Sequence, residues 1–302
     1  METVLSTKSL VKKFKKKVAV NNININIHRN EIYGLIGRNG AGKTTLMKMV
    51  VGFIQPTKGE IELFGDKDLN NQRKRIGCII ENPALYSNMS AVENLEVQRK
   101  LLGIKDKSCI KQVLSTVGLD TDNVKVKNFS LGMKQRLGIA LALIGNPEFL
   151  ILDEPLNGLD PEGVKDIRDL ILKLHKEQGL TFIISSHILG ELSKISTYYG
   201  IINSGILVEE FSAEELNSRC KRYIELKVDN SEKACDIIEA ILHTSNYDVL
   251  SNNTIRIYDF LDNTGLVNSE LSKSGVIVES LTILSQDLEG YFIERMGEEN
   301  KC

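Results

Sequence analysis

The sequence predicts an α/β domain over residues 1–211, followed by a small accessory α+β domain over residues 212–302. Two observations predict the first domain. Continuous apolar runs such as Phe149–Leu152 are typical of strands that are covered on both faces of a largely parallel sheet, and segments with helical periodicity lie between these runs. In the second domain, the predicted order of strand, helix, strand, strand, helix and strand is ferredoxin-like.

The composition is that of an ordinary globular protein. Of the 302 residues, 42% are hydrophobic and 26% are charged, and the formal net charge is -2. A chain of this length can bury a substantial core and divide into two units. Because the charge is nearly balanced, there is no bulk attraction to nucleic acid, and we expect no nucleic-acid partner. The five cysteines have no paired metal or redox spacing, which favours reduced thiols in the cytosol.

No segment of the sequence predicts a secretory signal or a membrane span. No apolar stretch follows the first methionine. The longest apolar runs, such as Leu137–Ile144, are too short to cross a bilayer. If the protein acts at a membrane, we therefore expect other subunits to supply the spanning helices.

The first thirty residues predict two antiparallel strands, at Val4–Leu10 and Asn21–His28. The lysine-rich run Lys12–Lys17 between them is open to two interpretations. It is a solvated turn, or it is part of a nucleotide site in which Phe14 offers an apolar plate to a base and the lysines lie near phosphate.

The segment Glu31–Thr45 predicts a strand, a glycine-rich loop and a helix that begins at Lys43. Its loop has the pattern of a phosphate loop, in which a glycine is followed by four residues and then by Gly-Lys-Thr. Glycines let the backbone N–H groups converge on an anion, and the helix N-terminus faces the same anion. Lys43 reaches the terminal phosphates, and the Thr44 hydroxyl can hold Mg²⁺. The predicted triphosphate-binding residues are Gly37, Arg38, Asn39, Gly40, Ala41, Gly42, Lys43, Thr44 and Thr45.

Strands and helices alternate through the rest of the first domain. A mostly helical insertion spans about residues 84–145. The other predicted elements are strands at Glu60–Phe64, Ile76–Ile80, Phe149–Leu152 and Thr181–Ser185, a helix at Glu162–Gln178, and a hairpin at Ile201–Val208. In such α/β domains ligands bind at the carboxyl ends of the strands.

A domain boundary is predicted near Ser212–Arg219. Beyond it, the predicted elements are strand Tyr223–Val228, helix Ser231–Leu242, strands Tyr247–Leu250 and Thr254–Tyr258, helix Leu266–Lys273, strand Val276–Ser280 and a final helix Ser285–Met296.

Two acidic residues follow the buried strand Phe149–Leu152 directly. Asp153 suits the second Mg²⁺ ligand of a phosphate-loop enzyme. Glu154 is placed to accept a proton from an attacking water molecule. An acidic pair at a strand end often only caps the next helix, but the phosphate loop favours the metal and base roles.

The segment Phe129–Arg136, FSLGMKQR, resembles the signature that defines the ABC superfamily, usually Leu-Ser-Gly-Gly-Gln. Ser130 suits a helix N-cap, and Gly132 leaves backbone N–H groups accessible to an anion. With the phosphate loop and the acidic pair, the chain resembles the ATP-binding subunit of an ABC transporter. The resemblance implies an ABC-type phosphate-loop NTPase domain, with a mixed sheet, an antiparallel subdomain and a helical subdomain.

The resemblance also implies roles for further residues. Ser130 and Gly132 are expected to contact the phosphates bound by a facing subunit. His187 resembles the switch histidine that senses the γ-phosphate, Asp160 resembles the loop aspartate that crosses between subunits, and Phe14 resembles the aromatic residue that stacks on adenine.

Glu81 departs from the family pattern, which usually has glutamine at this place. Its carboxylate can touch Mg²⁺ or the attacking water, but it adds negative charge beside a triphosphate. Together with Pro83–Tyr86, the signature segment and Leu288–Phe292 near the end of the chain, this change resembles the bacitracin-resistance and lantibiotic-immunity branch.

The resemblance implies an ATPase that binds ATP and Mg²⁺, forms a head-to-tail homodimer around ATP, and powers integral membrane permease subunits from the cytoplasmic face of the membrane. Export of a peptide antibiotic is the expected function. Two alternatives remain open, a nucleotide-switched regulatory ATPase and an ABC ATPase that acts on nucleic acid or ribosomes. The second is disfavoured because the sequence has neither a second cassette nor a long coiled coil.

Overall fold

A computed structural model describes residues 2–119, 123–219 and 222–285 of the chain. These residues belong to two compact units that divide after Ala213. In the described part of the chain, no helix combines the length and the apolar character that a membrane span requires.

The first unit contains ten strands and seven α-helices among its described residues. In chain order they are β1 Thr3–Phe14, β2 Lys17–Ile23, β3 Asn26–His28, β4 Ile32–Ile36, α1 Lys43–Val51, β5 Lys58–Leu63, α2 Leu69–Gln72, β6 Ile76–Ile79, α3 Ala91–Leu101, α4 Ser108–Thr116, α5 Leu131–Leu143, β7 Phe149–Asp153, α6 Pro161–Gln178, β8 Thr181–Ser186, α7 Leu189–Leu192, β9 Tyr198–Asn203 and β10 Ile206–Ser212.

The strands β1, β2 and β3 correct two details of the predicted N-terminal region. Lys12, Lys13 and Phe14 belong to β1, and the turn is confined to Lys15 and Lys16. Lys12 and Lys13 are compatible with a strand because they lie in its partly or fully exposed part. The backbone of β1 continues to pair with β2 up to the turn. The single strand predicted from residues 21 to 28 is divided into β2 and β3. Between them the Asn24 side chain accepts a hydrogen bond from the Ser9 backbone N–H at 2.7 Å.

Two sheets form the framework of the first unit. β2, β1 and β3 are neighbours in an antiparallel sheet, to which β5 adds by pairing with β1. The second sheet has the order β10-β9-β4-β8-β7-β6, and its pairs are parallel except for the hairpin of β9 and β10. One buried cluster joins side chains from both sheets and from α1, including Leu5, Met47 and Ile183. The two sheets thus bury a common core with α1.

The register of the second sheet determines where the polar strand ends meet. Asp153 pairs with Ser185 across β7 and β8, and Ile36 pairs with Ser186 across β4 and β8. All residues of β4, β7 and β8 are buried, as expected for strands covered on both faces. The phosphate loop after Ile36 is therefore adjacent to the acidic pair after β7.

Three helices begin at residues that favour helix N-termini. α1 follows Gly42, whose φ of +115° suits a residue without a Cβ. In α5, the Ser130 side chain accepts a hydrogen bond from Met133 N–H, and in α6 Asp160 accepts one from Gly163 N–H. Pro161 occupies the first turn of α6, where its missing N–H costs nothing.

The second unit is described through residue 285. Its elements are β11 Arg222–Val228, α9 Ser231–Ala240, β12 Tyr247–Leu250, β13 Thr254–Ile257, α10 Thr264–Lys273 and β14 Val278–Ser285, preceded by α8 Ala213–Arg219 at the division. The sheet order is β12-β13-β11-β14, and every neighbouring pair is antiparallel. Apolar side chains such as Ile224 and Leu226 on β11 pack against Ile238 of α9 and Leu271 of α10 in one buried cluster.

The order of these elements agrees with the predicted order of strand, helix, strand, strand, helix and strand. The final helix, predicted for residues 285 to 296, and the segment Leu288–Phe292 lie outside the described residues, apart from Ser285, which ends β14.

Candidate functional site

The loop between β4 and α1 curls around the Lys43 side chain. Lys43 is only 5% exposed, and its Nζ donates to the carbonyl oxygens of Gly37 at 2.6 Å and Arg38 at 3.4 Å. Gly37 has no room for a Cβ, which would lie 2.4 Å from the Ile202 carbonyl oxygen. Gly40 has a φ of +82°, which is costly for residues with a Cβ. The loop thus needs its glycines for its shape.

Asp153 is anchored at the end of β7 by two hydroxyl groups. Thr44 Oγ1 donates to Asp153 Oδ2 at 2.7 Å, and Ser185 Oγ donates to Oδ1 at 2.6 Å. Asp153 is 2% exposed. This places the threonine and the aspartate that were predicted to hold the metal in direct contact.

These two residues suit Mg²⁺. Carboxylate and hydroxyl oxygens are hard ligands, and Mg²⁺ is usually held by one or two carboxylates with water and substrate phosphates completing its shell. Among the described residues, no group of three or more His, Cys, Asp or Glu side chains is suited to hold a metal. The contacting oxygens of Thr44 and Asp153 are of the type that such an ion takes as ligands.

Glu154 connects the loop lysine with His187. Its Oε1 lies 3.0 Å from Lys43 Nζ, and its Oε2 lies 2.8 Å from His187 Nδ1. The Oε1 atom of Glu154 is buried, and among the described residues it has this ion-pair contact but no hydrogen bond. An ionised carboxylate only accepts hydrogen bonds, so the contact with Nδ1 favours a proton on that nitrogen. Glu154 has a φ of +50°, an uncommon conformation for a residue with a Cβ.

The carboxyl of Glu191 on α7 lies in the same electrostatic environment. Burial raises its pKa, His187 lowers it to a smaller extent, and the negative charge of Glu154 raises it further. His187 thus lies within the electrostatic influence of two carboxyl groups.

Phe14 lies at the edge of the cleft over the phosphate loop and not in the core. It is 47% exposed, and Lys12 Nζ lies 5.1 Å from the centre of its ring. The cleft has a volume of about 310 Å³ and includes Glu154 in its wall. Its other lining residues are Phe14, Lys17, Ala19, Arg38, Asn39, Gly40, Ala41, Gly42, Lys43, Thr44 and Thr45. An exposed aromatic ring beside a phosphate loop is in position to stack on a base.

The signature segment and Asp160 lie in a second cleft, of about 620 Å³. Ser130 and Gly132 line it together with Asp160 and Arg136. Arg136 forms an ion pair with Asp166 of α6. Among the described lining residues, none is common to this cleft and the cleft of the phosphate loop. One chain therefore carries the two groups of predicted phosphate contacts in two separate places.

The structure places Glu81 in an ion pair with a lysine of α1. Lys48 Nζ donates to Glu81 Oε1 at 2.6 Å, and the Glu81 side chain is 63% exposed. Thr44 and Asp153, the other two predicted metal ligands, contact each other. Glu81 itself follows β6 in a left-handed conformation, with a φ of +66°.

Three residues near the site were not named individually from the sequence. Ser185 contacts both acidic residues, because its hydroxyl donates to Asp153 and accepts from the Glu154 backbone N–H at 2.9 Å. The sequence signal for Ser185 is its place at the polar end of an otherwise apolar strand. Lys17 lines the cleft and was covered only collectively, as one of the lysines that the nucleotide-site interpretation placed near phosphate. Lys48 has no local pattern that distinguishes it from other exposed helical lysines.

Known proteins resemble this chain in sequence over nearly its whole length. The model of the ABC transporter family matches residues 20–157. The bacitracin transport ATP-binding protein BcrA of Bacillus licheniformis is 43% identical over 301 residues, which are 98% of each chain. The lantibiotic transport ATP-binding protein SrtF of Streptococcus pyogenes is 45% identical over 215 residues, which are 70% of this chain and 93% of SrtF.

Solved structures resemble the chain in fold. The ATP-binding subunit of an ABC transporter has a TM-score of 0.63 and 25% identity, with 72% of this chain and 92% of the other covered. A dimeric post-hydrolysis state of the cassette MJ0796, bound to ADP and Pi, has a TM-score of 0.62 and 25% identity, with 69% and 98% covered.

These findings confirm the predicted fold class of the first domain and the resemblance to the bacitracin and lantibiotic branch. They also confirm the expected cofactors, ATP and Mg²⁺, and the expected partners, a second cassette and membrane permease subunits. The chain belongs to the ABC transporter family, as an ATP-binding subunit that hydrolyses ATP to power a separate permease.

Proposed function

We propose that this chain energises resistance to a peptide antibiotic by driving its export through a separate permease. The chain lies at the inner face of the cell membrane, held there by that permease. The names of two relatives support this function, since BcrA is a bacitracin transport protein and SrtF a lantibiotic transport protein. BcrA matches through the second unit as well as the first, because 98% of both chains is covered.

The separation of the two clefts is the observation that carries the proposed mechanism. The phosphate-loop cleft contains Lys43 and Glu154, and the signature cleft contains Ser130 and Gly132. A triphosphate in the first cleft presents its γ-phosphate at the surface of the chain. Two copies arranged head to tail bring each signature cleft onto the partner's phosphate loop and enclose ATP at both places. Asp160, in the wall of the signature cleft, then lies at the junction between the copies.

Binding of ATP separates the Lys43 ammonium from the Glu154 carboxylate, which are in contact in the structure. The phosphates attract the Lys43 ammonium, which moves from Glu154 toward the new negative charge. Glu154 keeps its contact with His187 and becomes free to accept a proton from water. Thr44 and Asp153 would hold Mg²⁺ when it binds with ATP, and the ion would neutralise part of the phosphate charge. His187 remains beside the carboxylate to sense the γ-phosphate.

The energy of these contacts suffices to open and close the dimer. Loss of the γ-phosphate removes two or three charge-assisted hydrogen bonds worth roughly 1.5–3 kcal/mol each, on the order of 5 kcal/mol per site. Changing a two-state equilibrium from 1:99 to 99:1 needs about 5.5 kcal/mol. Two such sites therefore hold the dimer closed with ATP and release it after hydrolysis.

Resistance of living cells tests the proposed function. The permease is first identified by co-purification with the tagged chain from membranes, and both are then expressed in a bacitracin-sensitive strain. We expect the wild-type pair to raise the inhibitory concentration of bacitracin or of a lantibiotic, while the Glu154→Gln variant does not. Chloramphenicol serves as the control drug. Equal resistance with the Glu154→Gln variant, or failure of the chain to co-purify with a membrane protein, would contradict the proposal.

A further inference from the structure

The ion pair of Lys48 and Glu81 lies next to the nucleotide site. Lys48 is four residues after Thr44 on α1, so both side chains lie on one face of the helix. Glu81 follows β6, whose Ile79 pairs with Leu152 of β7. The loop with Glu81 therefore leaves the sheet beside Asp153, the residue that Thr44 contacts.

Negative charge is already concentrated at this end of the sheet. Asp153 and Glu154 are both acidic, and the ligand is itself an anion. A further carboxylate at Glu81 raises the electrostatic cost of binding a triphosphate. The structure places a cation there as well, since the Lys48 ammonium lies 2.6 Å from the Glu81 carboxylate.

We propose that Lys48 is a positioning residue that cancels the charge of Glu81 and thereby limits the repulsion between this carboxylate and bound ATP. The inference rests on the proposed function of the site as an ATP site. Glu81 has a left-handed backbone conformation, with a φ of +66°, just after the end of β6. Its carboxylate accepts a hydrogen bond from Lys48 of α1. The pair acts as one neutral unit toward the nucleotide.

Stability of the fold does not account for the pair. The Lys48 and Glu81 side chains are 30% and 63% exposed, and exposed ion pairs contribute little to the free energy of unfolding because water and salt screen them. Lys67 and Glu60 of β5 form a comparable exposed pair at 2.7 Å, and neither residue lines the phosphate-loop cleft. That pair supplies a matched control for the same chemical change.

The test measures the dissociation constant of ATP, with Mg²⁺ and with EDTA, for Lys48→Met, Glu81→Gln and the double variant. In Lys48→Met, the unpaired carboxylate repels the ligand, and we expect the dissociation constant of MgATP to rise about five-fold at low ionic strength. The rise is larger in EDTA, because metal-free ATP carries more negative charge, and it shrinks in about 0.5 M salt.

The double variant separates neutralisation from direct contact. Glu81→Gln removes the charge that needs a partner, so the double variant binds MgATP within about two-fold of wild type, as does the control Lys67→Met. Lys48→Arg keeps the positive charge and binds like wild type. The thermal midpoints of all variants stay at that of wild type, which separates a charge effect from unfolding.

Two results would overturn the inference. One is wild-type affinity in Lys48→Met. The other is a double variant as weak as Lys48→Met, which would mean that Lys48 touches the phosphates itself. Failure of the proposed ATP site gives a different result, because the wild-type chain then fails to bind ATP at all and does not differ from Lys43→Ala.

Discussion

The Lys43 ammonium lies 3.0 Å from Glu154 Oε1, so the cation that is to hold phosphate contacts the carboxylate that is to accept a proton. Lys43 begins α1 after the loop that follows β4, and Glu154 directly follows β7. In this arrangement the Glu154 carboxylate is paired with the Lys43 ammonium. The phosphates of ATP must therefore compete with Glu154 for Lys43. The contact therefore couples ATP binding to the release of Glu154.

Replacement of Lys43 by alanine is expected to abolish useful ATP binding. The side chain is buried against the loop and supplies the mobile charge of the site. Loss of two charge-assisted hydrogen bonds to phosphate weakens binding about 100-fold or more. Isothermal titration with MgATP measures the change, and Lys67→Ala is the control. An unchanged affinity would refute the assignment of the phosphate loop.

The Glu154→Gln variant is expected to bind ATP but to hydrolyse it slowly. Glutamine keeps the size of the side chain and cannot accept the proton, so the rate of hydrolysis falls about 10²–10⁴-fold. The intact γ-phosphate then holds two copies together. Phosphate release and size-exclusion chromatography with MgATP measure the two effects. Turnover at the wild-type rate would show that another residue is the base.

Phe14→Ala is expected to weaken ATP binding while leaving the fold intact. The ring is 47% exposed at the edge of the cleft, and stacking of a base on an aromatic side chain is worth about 1–3 kcal/mol. The control is Phe53→Ala, at a residue that is 65% exposed and outside the lining of this cleft among the described residues. Equal affinities for both variants would remove Phe14 from the site.

Ser185→Ala is expected to destabilise the first unit and to disturb the metal site. The buried hydroxyl donates to Asp153 and accepts from the Glu154 N–H. A buried polar group left without its partner costs about 1–3 kcal/mol in the free energy of unfolding. Urea denaturation measures the loss, with Ser115→Ala on the exposed side of α4 as the control. If the two variants unfold at the same urea concentration, the Ser185 bridge is energetically unimportant.

Local sequence patterns predicted the parts of the site that depend on short segments. The glycine spacing predicted the loop around Lys43, and the apolar run before Asp153 predicted a buried strand that ends at an acidic pair. Ser130 was expected at a helix N-terminus, and its hydroxyl accepts from Met133 N–H there. Such features are encoded within a few residues by glycine, strand periodicity and capping preferences.

Longer segments of exposed charge were predicted less well. One interpretation of the lysine-rich run Lys12–Lys17 was a turn, but its first half continues β1, because pairing with β2 satisfies the backbone while the side chains remain in water. Sequence periodicity does not contain this pairing, which depends on the register of two strands.

The sequence by itself determined that this chain has a phosphate loop, an acidic strand end and a helix with the ABC signature, because each is a local pattern of residues. Only the tertiary structure decided which of these groups touch. Sheet register placed Asp153 against Thr44 and brought Glu154 to Lys43 and His187, and the fold joined Glu81 to Lys48. It also kept the signature in a separate cleft. Contacts between distant segments depend on how strands pair and helices pack, and no local pattern specifies them.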